Sequence, residues 1–186
     1  MEPLTADRRE RLREIIDEIG LVRATGESFT LASGKTSPFF FDIRMVALDA
    51  EGAALIAASI LERLAGTDVE AIGGIELGAV PIVSAVAALS WPDRPLAGLI
   101  VRKTAKERGT RKDIEGHVRE GTRVVLLEDV TTTGGSVLQA ARAVRAQGCV
   151  ATRVITVVDR LEGAADNLAA EGLALESLYT REDFAA

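Results

Sequence analysis

One cysteine and one histidine in 186 residues remove several kinds of chemistry at once. Cys149 has no partner for an internal disulfide, and without a second cysteine or clustered histidines the usual sulfur and nitrogen metal sites cannot be assembled. Cys149 is expected to be a buried structural thiol, and His117, in a polar stretch, to face solvent. No uninterrupted apolar run approaches the ~20 residues needed to cross a bilayer. The chain opens on Asp7, Arg8, Arg9, Glu10 and Arg11 rather than on a basic segment followed by an apolar one. A cytoplasmic location with no membrane partner is the expectation. Internal repeats, low-complexity tracts and linkers are missing too. A formal charge of −6 argues against broad binding to nucleic acid, which relies on cations to neutralise phosphates.

What is present suits an enzyme-sized fold. An apolar fraction of 47% can form one substantial core, and 186 residues suggest a single domain, 1–186, with a small appended subdomain. Amphipathic helical stretches alternate with short β-rich runs, the pattern of a parallel sheet covered by helices. Residues 6 to 19 set Leu12, Ile15, Ile16 and Ile19 on one helical face, with Gly20 as the stop. A strand over Phe39 to Ile43, a helix over Ala53 to Leu64, a strand over Ile72 to Ile75 and a helix starting at Pro81 follow. Trp91, before Pro92, reads as a surface anchor or packing residue. Leu96 to Val101 reads as a strand running into a basic island of Arg102, Lys103, Lys106, Arg108, Arg111 and Lys112, in which Glu107 is the only acid. By residue pattern alone the island is as much a solvated hairpin as a functional loop. It has no interleaved aromatics, which argues against a groove for single-stranded nucleic acid.

The clearest unit is Val124-Val125-Leu126-Leu127, an apolar run suited to a strand buried on both faces. It leads into Glu128-Asp129-Val130-Thr131-Thr132-Thr133-Gly134-Gly135-Ser136 and a helix over Val137 to Ala146. Gly148 ends that helix and Val154 to Val158 supplies the next strand, which completes a βαβ unit. Open sheets of this kind bind ligands beyond the carboxyl ends of their strands, so Glu76, Arg102, Glu128, Asp129 and Arg160 are candidates for one shared rim. Ionised carboxylates are acceptors only, and Glu128 and Asp129 at a strand end can receive the vicinal hydroxyls of a ribose. The threonines, glycines and Ser136 come where the next helix presents free N–H groups. Glycine lets the backbone approach a phosphate, hydroxyls add donors, and a helix N-terminus favours negative charge. Together these suit a sugar phosphate; the plainer alternative is a strand-to-helix turn with hydroxyl caps.

The run from Glu128 to Ser136 resembles the signature with which type I phosphoribosyltransferases bind phosphoribosyl pyrophosphate (PRPP). Phe29 to Asp42, Gly73 to Pro81, Arg102 to Gly116 and Val157-Val158-Asp159-Arg160 are similar, in the same order, to the orotate-using branch of that family. The resemblance spans residues 20 to 165. It implies an α/β fold whose central parallel sheet is flanked by helices, with a small hood formed mainly by residues 1–38. It also implies an activity: orotate displaces pyrophosphate from PRPP and gives orotidine 5′-monophosphate, a step of pyrimidine synthesis.

The resemblance further implies that Glu128 and Asp129 hold the ribose hydroxyls, and that Thr131, Thr132, Thr133, Gly134, Gly135 and Ser136, with Val130 beside them, contact the 5′-phosphate end of PRPP. Thr132, Arg160, Phe40 and Phe41 match positions at the orotate pocket, where an arginine suits the carboxylate through bidentate pairing. Arg102, Lys103 and Lys106 match cations of a loop that closes over the pyrophosphate from the neighbouring subunit of a homodimer, and with Asp129 they form the implied catalytic set. Mg²⁺ is expected to arrive on PRPP, without a dedicated protein cage. Three positions depart from the family pattern. A lysine common before Ser-Gly is Ala32 here, with Lys35 the nearby candidate for the orotate side. A histidine common on the loop is Arg108, which retains charge stabilisation toward PRPP but not proton transfer. Leu77 stands where some relatives have lysine. A purine-using phosphoribosyltransferase would leave Arg160 without a purpose, and a non-catalytic PRPP-responsive regulator would leave the loop cations without one.

Overall fold

Four consecutive apolar residues can be buried together only where their strand is covered on both faces, and Val124 to Leu127 are each at most 3% exposed. The computed structural model describes residues 5–24, 29–30, 36–103 and 113–184. Helix α1 (Ala6–Ile15) is capped by the Thr5 hydroxyl, which accepts from the Arg8 N–H. Four short strands follow: β1 (Leu21–Arg23), β2 (Phe29–Thr30), β3 (Thr36–Ser37) and β4 (Phe39–Phe41). They form two antiparallel pairs, β1 with β4 and β2 with β3. Helices α2 (Ile43–Leu48) and α3 (Ala50–Leu64) lead to the main sheet.

That sheet has six strands among the described residues: β5 (Ala71–Ile75), β6 (Ala97–Val101), β7 (Ile114–Glu115), β8 (Arg123–Thr131), β9 (Val150–Asp159) and β10 (Ala174–Thr180), in the order β10-β9-β8-β5-β6-β7. All neighbours are parallel except the short β7, which runs against β6. The alternation of side chains along β8 divides the core. Val125 and Leu127 pack with Leu12 and Ile16, with Ile56 and Ile60 of α3, and with Ile82 of α4 (Ala79–Ser90). Val124 and Leu126 face the other way, onto Val137, Ala141 and Val144 of α5 (Gly135–Ala146) and Leu168 of α6 (Ala164–Ala169). Each such side chain contributes about 1.5–3 kcal/mol of burial free energy. The central sheet is therefore held from both sides, as an α/β fold requires.

Strand order reverses between β5 and β8: the chain lays down β5, adds β6 on one side, then crosses to place β8 on the other. A crevice at the carboxyl ends of these two strands is the expected ligand position.

Several element boundaries differ from the periodicity. The regular helix ends at Ile15 and the backbone widens into a five-residue π turn over Ile16–Gly20, which turns Ile19 off the buried face to 42% exposure. The strand from Phe39 stops at Phe41, because Ile43 already belongs to α2. Strand β8 continues through its two carboxylates to Thr131, since Glu128 and Val130 keep their ladder partners Thr156 and Val158 on β9. Strand β10, half exposed along its length, has no counterpart in the periodicity because its sides do not alternate. Cys149 is buried, with its thiol against the Arg119 carbonyl, while His117 and Trp91 are exposed. Among the described residues no helix is long and apolar enough to cross a membrane.

Candidate active site

The end of β8 turns directly into α5, and the turn depends on Gly134. Its φ of 83° lies in the left-handed region, which glycine enters without the clash a Cβ would make. Leu138 then donates its N–H to the Gly134 carbonyl at 2.9 Å. The first N–H groups of α5 are left facing a hollow of about 30 Å³ lined by Thr131, Gly134, Gly135 and Ser136, among others. Thr131 is 1% exposed, and among the described residues its hydroxyl has no hydrogen-bond partner. An unpaired buried hydroxyl costs about 1–3 kcal/mol, and an anion seated in the hollow would supply the acceptor. Thr133 lies outside this lining; its carbonyl accepts from the Asn167 side chain at 2.9 Å.

Next to the hollow is a larger cavity of about 320 Å³. Glu128, Asp129, Val130, Thr132 and Ser136 form its floor, Glu76, Leu77 and Gly78 one wall, and Phe40, Phe41 and Arg160 another. The two carboxylates of the floor behave differently. Glu128 is 5% exposed, and burial pushes its carboxyl well above the usual carboxylate range; the hydrogen bond to the Asp129 carboxylate and its charge add to this. Asp129 accepts from the Val130 N–H at 2.9 Å, and its carboxylate abuts Gly78 so closely that a Cβ at position 78 would overlap it. Gly78 follows a cis peptide between Glu76 and Leu77.

The wall around Arg160 is drawn from distant segments. Arg160 is 3% exposed, and its backbone N–H donates to the Thr131 carbonyl at 2.9 Å. Its Nε donates to Glu162 at 2.8 Å and its Nη2 to the Ser37 hydroxyl at 3.2 Å. The guanidinium carbon lies 5.3 Å from the ring centre of Phe39 and 6.0 Å from that of Phe41. One long edge of the fork is thereby occupied by protein, so a carboxylate ligand would have to approach the end that carries Nη1.

Of the expected residues, Phe40, Phe41, Lys103, Glu128, Asp129, Val130, Thr132, Ser136 and Arg160 line the cavity. Arg102 does not: its Nε donates to Glu115 at 3.0 Å across the β6–β7 pair. Lys103 is fixed by its backbone, with its N–H donating to Glu76 at 2.9 Å and its carbonyl accepting from Gln139 at 3.0 Å. Lys35, Lys106 and Arg108 lie outside the described residues. Four residues at or behind the cavity were not singled out by sequence reasoning: Ser37, Asp42, Arg44 and Glu162. The two-residue spacing of each arginine from its acid indicates the charge pairing, but nothing local places the pairs at the cavity.

Residues 47–172 match the phosphoribosyl transferase domain family. An orotate phosphoribosyltransferase of Rhodopseudomonas palustris (strain BisB18) is 48% identical over 181 residues, covering 95% of both chains. Among solved structures, the orotate phosphoribosyltransferase of Mycobacterium tuberculosis H37Rv in complex with Fe(III) dicitrate superposes with a TM-score of 0.83 at 36% identity, over 96% of this chain and 99% of that one. The same enzyme in complex with PRPP gives a TM-score of 0.78 at 32% identity, over 98% and 94% of the two chains. Nearly the whole length is shared in each case, with the cavity inside the shared region, and the chain belongs to the phosphoribosyltransferase family and, within it, to the orotate phosphoribosyltransferases.

Proposed function

We propose that the chain transfers the phosphoribosyl group of PRPP to orotate, giving orotidine 5′-monophosphate and pyrophosphate in pyrimidine synthesis. One observation carries this reading: a small hollow at the N-terminus of α5 adjoins a cavity lined by two adjacent carboxyl groups and a buried arginine set among phenylalanines. In the reaction a bond forms between an orotate ring nitrogen and the anomeric carbon while the bond from that carbon to the pyrophosphate oxygen breaks. The ring-nitrogen proton passes to solvent. The protein's part is to align the two reactants and to stabilise charge on the leaving group. Asp129 would accept the ribose hydroxyls, Arg160 would fix the orotate carboxylate, and Phe40 and Phe41 would exclude water from the base side.

The donor set fits Mg²⁺ delivered on the substrate, because the cavity offers carboxylate and hydroxyl oxygens, and magnesium favours phosphate, carboxylate and water oxygens. When bound, the ion neutralises charge on the pyrophosphate. The reading extends to a cytoplasmic homodimer in which Lys106 and Arg108 of one subunit serve the other's site, while Arg102 and Lys103 mark where that segment leaves β6.

A panel of bases with PRPP and Mg²⁺ tests the activity: orotate should be consumed only when both are present. Turnover of hypoxanthine, guanine or adenine without orotate would overturn the substrate. For the shared site, inactive Lys106→Ala chains mixed with inactive Asp129→Asn chains should regain activity as heterodimers. Heterodimers detected by mass spectrometry without recovered activity would end the shared-site reading.

A further inference from the structure

Asp42, Glu76, Glu128 and Asp129 all line the cavity, yet the proposed substrate carries both a sugar phosphate and a pyrophosphate. Like charges at short range repel strongly in a partly desolvated site, so the cations that face this space decide where the leaving group can lie. Among the described residues three do: Arg44, Lys103 and Arg160. Arg160 is engaged by Glu162 and Ser37 on the base side. Arg44, in the first turn of α2, is differently placed. Its Nε donates to Asp42 Oδ1 at 2.7 Å and its Nη2 to Oδ2 at 3.0 Å, and its side chain is about half exposed at 45%.

A guanidinium carries five N–H donors. The paired grip of Asp42 takes two and stops the plane from rotating, which leaves donors on the edge away from Asp42 in a fixed orientation. The charge of Asp129 also acts on Arg44, so the guanidinium lies within electrostatic reach of the carboxylate that abuts Gly78. Leu77, also in the cavity lining, is 64% exposed and contributes no charge.

We propose that Arg44, oriented by Asp42, contacts the pyrophosphate group of PRPP on the side of the cavity formed by Leu77 and Gly78. The proposal rests on the reading of the chain as a PRPP-using transferase and adds a residue to it. Arg44 touches substrate and is catalytic in that sense, because charge grows on the leaving oxygens as the anomeric bond breaks. Asp42 is a positioning residue that acts through Arg44.

Steady-state kinetics of Arg44→Gln, Arg44→Lys and Asp42→Asn, run forward with PRPP and orotate and in reverse with pyrophosphate and orotidine 5′-monophosphate, test this. Arg44→Gln should raise KM for PRPP and for pyrophosphate about tenfold or more, the loss expected for a charge-assisted hydrogen bond. It should lower kcat as well, and leave KM for orotate and for the nucleotide within about threefold. Arg44→Lys should restore part of the loss, and Asp42→Asn should shift the same two constants by less. A folded Arg44→Gln variant with unchanged PRPP and pyrophosphate constants, or with equal losses for all four ligands, would overturn the proposal. Wild-type protein that fails to consume orotate would sink the proposed activity instead. Calorimetric titration of wild type and Arg44→Gln with inorganic pyrophosphate would then still decide the role of Arg44: weaker binding to the variant supports it, equal binding removes it.

Discussion

The hollow at the start of α5 and the wall around Arg160 solve different construction problems. The hollow is lined from within one chain segment, Glu128 to Val137, in which the strand, a left-handed glycine and the first turn of a helix follow in sequence. The wall around Arg160 needs Ser37 and Phe39 to Phe41 from the N-terminal strands, Arg160 from the end of β9 and Glu162 beyond it. A site held by backbone within one segment keeps its shape when its neighbours change. A site held by side chains from separate segments depends on every one of them, so the wall around Arg160 can change while the hollow keeps its shape.

The largest expected effect tests the seam between the two regions. Gly78 has ordinary helical backbone angles, φ −58° and ψ −42°, so alanine there carries no backbone strain. Its Cβ would nonetheless displace the Asp129 carboxylate. Gly78→Ala should therefore lower kcat/KM for PRPP about 100-fold, the scale of a misplacement near 1 Å, with a melting temperature equal to or slightly above that of wild type. A large fall in stability with normal kinetics in the surviving protein would show that Gly78 serves packing alone.

Arg160→Lys sharpens the contrast at the base side. A point ammonium cannot reproduce the planar fork held by Glu162 and Ser37, so KM for orotate should rise about tenfold while PRPP affinity, measured by calorimetry, stays near wild type. Loss of both affinities together would mean that the two regions are one mechanical unit.

The smallest effect concerns stability against pH. Glu128 titrates well above the ordinary carboxylate range in the folded protein and near the ordinary value when unfolded. Its contribution is thus fully present below the unfolded pKa and is lost as pH rises through the raised folded value. Glu128→Gln keeps a neutral side chain at that place, so its unfolding free energy in urea should fall less than that of wild type between mildly acidic and mildly alkaline pH. Parallel curves for the two proteins would remove Glu128 as the source of the dependence.

The same contrast explains what the sequence disclosed. The hollow could be read directly, because an apolar run, paired carboxylates and glycines at a helix start are consecutive and each has a local physical reason. The extension of β8 through Glu128 and Asp129 was less visible, since charged residues seldom mark a central strand; the pairing of Glu128 with Thr156 and of Val130 with Val158 on β9 keeps it in register. Arg44 and Asp42 could not be found by periodicity at all. Their place in the cavity follows from how α2 packs near Asp129, a tertiary fact carried by no local pattern. The exposure of Ile19 arose similarly, from a widened turn that a 3.6-residue period does not anticipate.

The reversal of strand order between β5 and β8 has a consequence for folding. The parallel run β8-β9-β10 comes from the last third of the chain, whereas β5 and β6 come earlier, and the cavity opens where the two groups meet, with Gly78 from one and Asp129 from the other. Neither group alone contains a complete site. A bound substrate therefore stabilises only the state in which both have docked, by RT ln(1 + [L]/Kd), about 2.7 kcal/mol at a hundredfold excess over Kd. Saturating ligand should accordingly slow hydrogen exchange in β5 and β8 together, and refolding chains should acquire binding only at the step that joins them.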